Sequence, residues 1–299
     1  MTVGWENIGD LKEGGVVRFD ALIVGCGYTG MALGEQLHQE GLKIAGVKRR
    51  KVASPFPLAT TNVGKPHKFL QDLRADLGEG CRADTIYYLV AAKEFSPNAY
   101  RAAYLDGLNT VLESCQALQV RRVVFVSSTS VYGDSLEPWV DEATPARPKN
   151  FSGEILLEAE QTVLASPFQP TVVRFSGIYG PGRRRLIDQV CSGEAKVTGK
   201  PFYTNRIHRD DCAGVLRHLR TTSYGHNLYL GTDCKPATKD EVIQYIASIC
   251  QVEARHRDTS EPPPPQRRSS KRLSNKRLLD SGYLFKFPTF REGYRAILP

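Results

Sequence analysis

Gly25, Gly27 and Gly30 stand at G-x-G-x-x-G spacing inside Asp-Ala-Leu-Ile-Val-Gly-Cys-Gly-Tyr-Thr-Gly, residues 20–30. Such a loop can hold a pyrophosphate. Gly25 permits a tight turn, Gly27 lets backbone approach the phosphates, and Gly30 lets a helix pack on the preceding strand. The amides at Tyr28, Thr29 and Gly30 open that helix, where free N–H groups and the helix dipole favour an anion. Glycine also serves ordinary turns. Here the apolar run Ala21–Val24 precedes the triplet, and Leu33 and Leu37 follow at helical spacing. That context favours a dinucleotide site. Cys26 lies inside the loop, where a helix start is expected to lower a thiol pKa.

A second group lies where an acidic residue, about 20 positions past the glycines, holds ribose hydroxyls in NAD sites. This chain has Lys48-Arg49-Arg50 there. Cations pair with a 2′-phosphate that a carboxylate would repel, so NADP(H) is expected over NAD(H). The plainer reading is a solvated basic turn.

These residues need strands and helices in alternation. Leu42–Val47 reads as a second strand, His67–Leu73 as a third and Asp84–Ala92 as a fourth. Pro97–Leu118 has helical spacing. Arg122–Ser127 reads as a fifth strand, Asn150–Ala165 as a helix and Thr171–Phe175 as a sixth strand. The expected fold class is α/β, a Rossmann doubly wound parallel sheet with a small C-terminal substrate-binding lobe. Residues 1–17 form an extension and 18–182 the dinucleotide-binding domain, to which later segments return. Residues 183–299 are mainly the lobe, with helices at Leu186–Cys191, Asp210–Arg220 and Lys239–Cys250 and a strand at Asn227–Leu230.

Bulk properties narrow the classes. No run of about 18 apolar residues exists, so no transmembrane helix is expected, and no signal peptide is read at the N-terminus. The seven cysteines are scattered without a C-x-x-C pair. This points to free thiols in the cytoplasm and to no metal. The net charge of +8 invites a nucleic-acid reading, but residues 253–277 alone carry +5. One local patch around four consecutive prolines at 262–265 is better read as an exposed loop.

Ser127-Ser128-Thr129-Ser130-Val131-Tyr132-Gly133 follows the fifth strand. With the glycine loop, it resembles the extended short-chain dehydrogenases/reductases, the group of NAD-dependent epimerases and dehydratases acting on nucleotide sugars. Asp72-Leu73, Ala91-Ala92, Asp106-Gly107-Leu108-Asn109-Thr110, Arg174–Gly182 and Ile207-His208-Arg209-Asp210-Asp211 match in order, over roughly residues 20–295. The resemblance implies cofactor contacts at Asp72, Leu73, Ala91, Ala92 and Ser127. It implies substrate contacts at Tyr179, Arg183 and His208, and a catalytic hydroxyl at Ser128.

In that family a Tyr and a Lys four residues later also serve. The pattern lays them onto Ser152 and Leu156, and none of the thirteen tyrosines has a lysine four residues on. The chain therefore resembles an atypical subgroup that keeps the cradle without the usual proton relay. Tyr132, Tyr179, Glu154 and His208 are the candidate substitutes, with packing or an exposed surface as the alternative for each.

Two functions follow as expectations. One is an NADP(H)-dependent oxidoreductase-, epimerase- or dehydratase-like enzyme with a non-standard acid/base. Its substrate is small, anionic or nucleotide-linked, and a homodimer is compatible. The other is a non-catalytic NADP(H)-binding regulator or scaffold.

Overall fold

The computed structural model describes residues 15–133, 139–221, 225–257 and 270–298. Residues 1–14 of the expected extension and the proline-rich stretch 261–269 lie outside the described residues. The elements begin with β1 (Arg18–Val24), α1 (Tyr28–Gln39), β2 (Ile44–Lys48), β3 (Leu58–Thr60), α2 (Pro66–Leu77) and β4 (Arg82–Tyr88). Next come α3 (Pro97–Arg101), a π-helical turn (Ala102–Asp106), α4 (Gly107–Cys115), β5 (Arg122–Ser128), α5 (Phe151–Leu164) and β6 (Gln169–Phe175). β7 (Gly177–Tyr179), α6 (Arg185–Cys191), β8 (Tyr203–Thr204), β9 (Arg206–His208) and α7 (Arg209–His218) follow. The chain ends with β10 (Leu228–Gly231), β11 (Ala237–Thr238), α8 (Lys239–Ile249), α9 (Lys276–Asp280) and α10 (Phe290–Ile297).

Seven strands form one sheet in the order β10-β6-β5-β4-β1-β2-β3. The pairings β3–β2, β2–β1, β1–β4 and β4–β5 are all parallel. Ala21 to Val24 are fully buried, as expected of a strand covered on both faces. The strand order reverses at β1, which lies between β2 and β4. Ligands of such sheets bind at the carboxyl ends of the strands beside that reversal.

The expected third strand at His67–Leu73 is a helix. Phe69, Leu73 and Leu77 recur every four residues and are the buried side chains of α2, and Pro66 occupies its first turn, where its missing N–H costs nothing. The sheet takes Leu58–Thr60 instead, a strand of three residues. The long helix expected over Pro97–Leu118 is interrupted by the π turn. There the Tyr88 hydroxyl donates to the Ala103 carbonyl, and a Cβ on Gly107 would lie 2.7 Å from Tyr88 Oη. Close approach of strand and helix thus requires glycine at 107.

The chain divides into two compact units. The first holds the residues up to Val126 with Asn150–Val172 and Leu219–Asn227. The second holds Ser127–Lys149, Val173–His218 and everything from Leu228 onward. Within the second unit, Ile187 and Val190 of α6, Val242, Ile243 and Ile246 of α8, and Phe290 of α10 share one core. Capping boxes at Thr238/Glu241 and Thr289/Glu292 fix the starts of α8 and α10. All seven cysteines are free thiols. Among the described residues no helix is long and apolar enough to cross a membrane.

Candidate functional site

The glycine loop of the first unit joins β1 to α1. The amides of Gly25 and Cys26 donate to the Val47 carbonyl at 3.2 and 3.0 Å, and Gly27 N–H donates to Gly25 O at 2.7 Å. Gly25 has φ +104°, and a Cβ there would lie 2.6 Å from the Leu89 carbonyl carbon. A Cβ on Gly30 would lie 2.4 Å from Gly25 O. Both positions are closed by backbone. Gly27 differs: the nearest atom to its Cβ is Gly25 O at 4.0 Å. As the N-cap of α1, Gly27 offers no side chain to the helix amides, and the first turn holds no acid. The loop therefore sets the first turn of α1, uncapped by any side chain, beside the space over Gly27, which fits a pyrophosphate.

β2 ends at Lys48, half-buried, followed by exposed Arg49 and Arg50. Lys48 O accepts from Thr61 N–H at 3.1 Å. The Thr61 hydroxyl donates to Asp72 Oδ2 on α2 at 2.9 Å. Thr61 thus ties the Lys48 end of β2 to Asp72, two positions that sequence reasoning chose separately. Thr61 itself was missed, because no motif marks it. Leu73, next to Asp72, is fully buried, so its side chain serves the core. Leu89 N–H donates to Val24 O at 2.8 Å, which sets the segment leading to Ala91 and Ala92 beside the glycine loop. Cys26 departs from expectation. Its thiol is buried against Ile23 O and Gly46, and burial pushes it up to about 12. Desolvation of the thiolate outweighs the helix start.

Ser152 and Leu156 lie one turn apart on α5 and are both buried. Ser152 Oγ donates to Asn150 Oδ1 at 2.6 Å, while Asn150 caps the helix through Gly153 N–H. Glu154 is exposed in the same first turn. Aromatic rings gather at this end of α5. Phe151 lies 4.8 Å from Phe95 and 5.4 Å from Tyr100, and Tyr100 lies 5.3 Å from Tyr104. Tyr104 belongs to the π turn and was missed. The four-residue interval from Tyr100 to Tyr104 was its only sequence signal.

In the second unit, Ser127 is buried and Ser128 is half-buried. Ser128 Oγ accepts from Ser130 N–H at 3.2 Å and starts a short 3-10 turn over Thr129–Val131. The Tyr132 hydroxyl accepts from Arg174 Nη1 at 2.7 Å and donates to Asp141 O at 2.8 Å. The Arg174 guanidinium also lies 4.8 Å from the Tyr132 ring. Both of the Tyr132 oxygen's roles, donor and acceptor, are thus taken by the fold.

Tyr179 on β7 and His208 on β9 are register partners, with rings 5.4 Å apart. Arg183 is held nearby through Nη1 to Ile178 O at 3.3 Å. The three expected substrate residues therefore sit on one small β-ribbon and its turn. Tyr179 also stacks on Tyr294 at 4.6 Å, and burial raises its phenol pKa. His208 Nδ1 accepts from Asp210 N–H, which places the ring proton on Nε2. Burial pushes His208 down to about 4 against the pull of Asp210, so it is neutral at physiological pH. Asp211 is buried and accepts from the amides of Lys286 and Phe287 and from the Tyr283 hydroxyl, fixing the start of α7.

Four buried polar atoms around this ribbon have no hydrogen-bond partner among the described residues: Tyr179 Oη, His208 Nε2, Arg206 Nη1 and Asp233 Oδ2. Arg206 and Asp233 were missed, because neither belongs to a recognisable motif. Asp233 is 1% exposed, and burial pushes its carboxyl up to about 7 despite Arg206. The folded state therefore holds this proton more tightly than the unfolded chain. Its contribution is most favourable below about pH 4, declines as pH rises through 7, and is flat above. Asp233→Asn is expected to flatten that slope and raise stability above neutrality by about 2 kcal/mol. Urea midpoints across pH measure this, and an unchanged slope contradicts it.

Residues 21–200 match the profile of the family described as NAD dependent epimerase/dehydratase. Protein YeeZ of Escherichia coli K12 is 28% identical over 219 residues, covering 72% of this chain and 77% of that protein. A structure described as an NAD-dependent epimerase/dehydratase of Methylobacillus flagellatus is 32% identical, with a TM-score of 0.76, covering 94% of this chain and 97% of that one. The UDP-glucose 4-epimerase of Thermus thermophilus, solved with NAD, has a TM-score of 0.78 at 20% identity. It covers 94% of this chain and 98% of the other, and shares the fold.

Proposed function

The chain belongs to the NAD dependent epimerase/dehydratase family, and on that footing we propose that it is an NADP(H)-dependent oxidoreductase. The observation that carries this reading is the pairing of an open phosphate cradle at Gly27 with a cationic end of β2. The first-turn amides of α1 bind the pyrophosphate. Lys48, Arg49 and Arg50 meet the 2′-phosphate, and Asp72, fixed by Thr61, lies beside the adenine. A bound nicotinamide supplies or accepts the hydride, as such cofactors do. Ser128 orients the substrate oxygen, and its turn-starting position holds the hydroxyl in one place. The substrate is small and anionic or nucleotide-linked, a class suited to the basic run Arg183–Arg185.

The test is NADPH oxidation by purified protein against carbonyl compounds, nucleotide sugars included. Turnover is expected for at least one, with Ser128→Ala lowering kcat/KM about 100-fold, the size of a lost oriented hydrogen bond. Unchanged turnover in Ser128→Ala contradicts the assignment. A non-catalytic NADP(H)-binding regulator is the second reading, favoured by Ser152 and Leu156 at the usual Tyr and Lys positions. It predicts tight NADPH binding with no turnover on any substrate.

A further inference from the structure

If the chain is an oxidoreductase, on which this inference rests, its proton must come from a group other than Ser152. A serine hydroxyl is far less acidic than a phenol, and Leu156 cannot tune it. Tyr132 is engaged at both hydroxyl roles, and Tyr179 points its oxygen at Gly293, whose Cβ position it would overlap. Tyr104 is different. It is half-buried rather than enclosed, and it sits in the π turn that interrupts the helix. Such turns are energetically inferior to regular helix and recur at functional sites. The turn packs against α5. The rings of Tyr100 and Phe151 connect Tyr104 to the residue preceding Ser152. The turn follows directly on α3, which begins five residues after Ala92, at the end of the segment that borders the glycine loop. All these groups belong to the first unit.

We propose that Tyr104 is the relocated acid, a phenol that donates its proton to the oxygen of a substrate carbonyl. In this reduction, hydride from the reduced nicotinamide reaches the carbonyl carbon while the π pair moves onto oxygen. That oxygen takes the Tyr104 proton, and water reprotonates the phenolate. Burial, then Tyr100, push the phenol up to about 12, and the Ala92 N–H acts in the opposite sense. The phenol is protonated at neutral pH, the form that a donor to a carbonyl oxygen requires. The titratable neighbours are Tyr100 and Arg101 on α3, Asp106 on its own turn, Tyr88 on β4, and Glu158 on α5, 4.0 Å from Arg101.

The test uses NADP+, whose nicotinamide ring is cationic, and a phenolate difference-absorbance titration of the full-length protein. Bound NADP+ is expected to lower the midpoint of one tyrosine by about one pH unit, a tenfold change. Tyr104→Phe removes that shift while still binding NADP+, and Tyr100→Phe retains it. If NADP+ binds and no tyrosine shifts, or if the shift survives in Tyr104→Phe, the proposal is overturned and the oxidoreductase reading stands. If NADP+ does not bind, the oxidoreductase reading itself fails and takes the proposal with it.

Discussion

Gly27→Ala is expected to fold as the wild type does and to lose NADPH binding by about 100-fold, equivalent to about 2.7 kcal/mol. The three glycines of the loop separate by what surrounds them. Gly27 has φ −86°, which any residue adopts, and 4.0 Å of clearance at its Cβ position. A methyl there meets only Gly25 O, at ordinary van der Waals distance, so stability should change by less than about 0.5 kcal/mol. It would occupy the space that the proposed site assigns to the pyrophosphate. Gly25→Ala and Gly30→Ala should behave in the opposite way. Their methyls would press on backbone at 2.6 and 2.4 Å, so the expected first effect is on stability. A thermal melt and an NADPH titration on each variant separate the two behaviours. Unaltered NADPH affinity in Gly27→Ala would place the pyrophosphate elsewhere.

Arg49→Glu combined with Arg50→Glu is expected to weaken NADPH about 100-fold or more while changing NADH affinity only a few-fold. Each charge-assisted hydrogen bond to a phosphate contributes about 1.5–3 kcal/mol, and reversal adds repulsion. Both side chains are exposed, so the fold has little stake in them. Because the effect is electrostatic, it should shrink as salt is added. Equal losses for NADPH and NADH would show that the pair acts on the common part of the dinucleotide, and would contradict the 2′-phosphate assignment.

Much of this architecture was legible in the sequence, for physical reasons. Parallel strands buried on both faces must be apolar throughout, so β1, β4, β5 and β6 stand out as short apolar runs. The glycine loop was legible because its spacing follows from backbone clearance. The α2 region was misread because a short segment with Phe69 and Leu73 suits either element. Only the four-residue recurrence through Leu77, with Pro66 at the start, decides for helix. The π turn leaves no pattern in composition, and its bond to Tyr88 of β4 joins residues fifteen apart that no local motif marks.

The candidate site divides in the same way. Positions defined by local chain geometry, such as Gly25, Gly27 and Gly30, could be read directly. Thr61, Tyr104, Arg206 and Asp233 could not, because their significance comes from residues distant in sequence. Cys26 shows the limit of a local rule. A helix start lowers a thiol pKa only where the thiolate is solvated, and here the sulfur is wholly buried. Tyr132 and His208 are marked in the sequence by their motifs, but only their hydrogen bonds show how firmly the fold engages them.

The most direct measurement is an equilibrium fluorescence titration of the purified protein with NADPH and, in parallel, NADH. Tight NADPH binding with at least tenfold weaker NADH binding is the expected result, and it would tie the Lys48-Arg49-Arg50 cluster to the 2′-phosphate. Equal or stronger NADH binding would contradict the NADP(H) assignment. No binding of either dinucleotide would contradict the proposed oxidoreductase altogether.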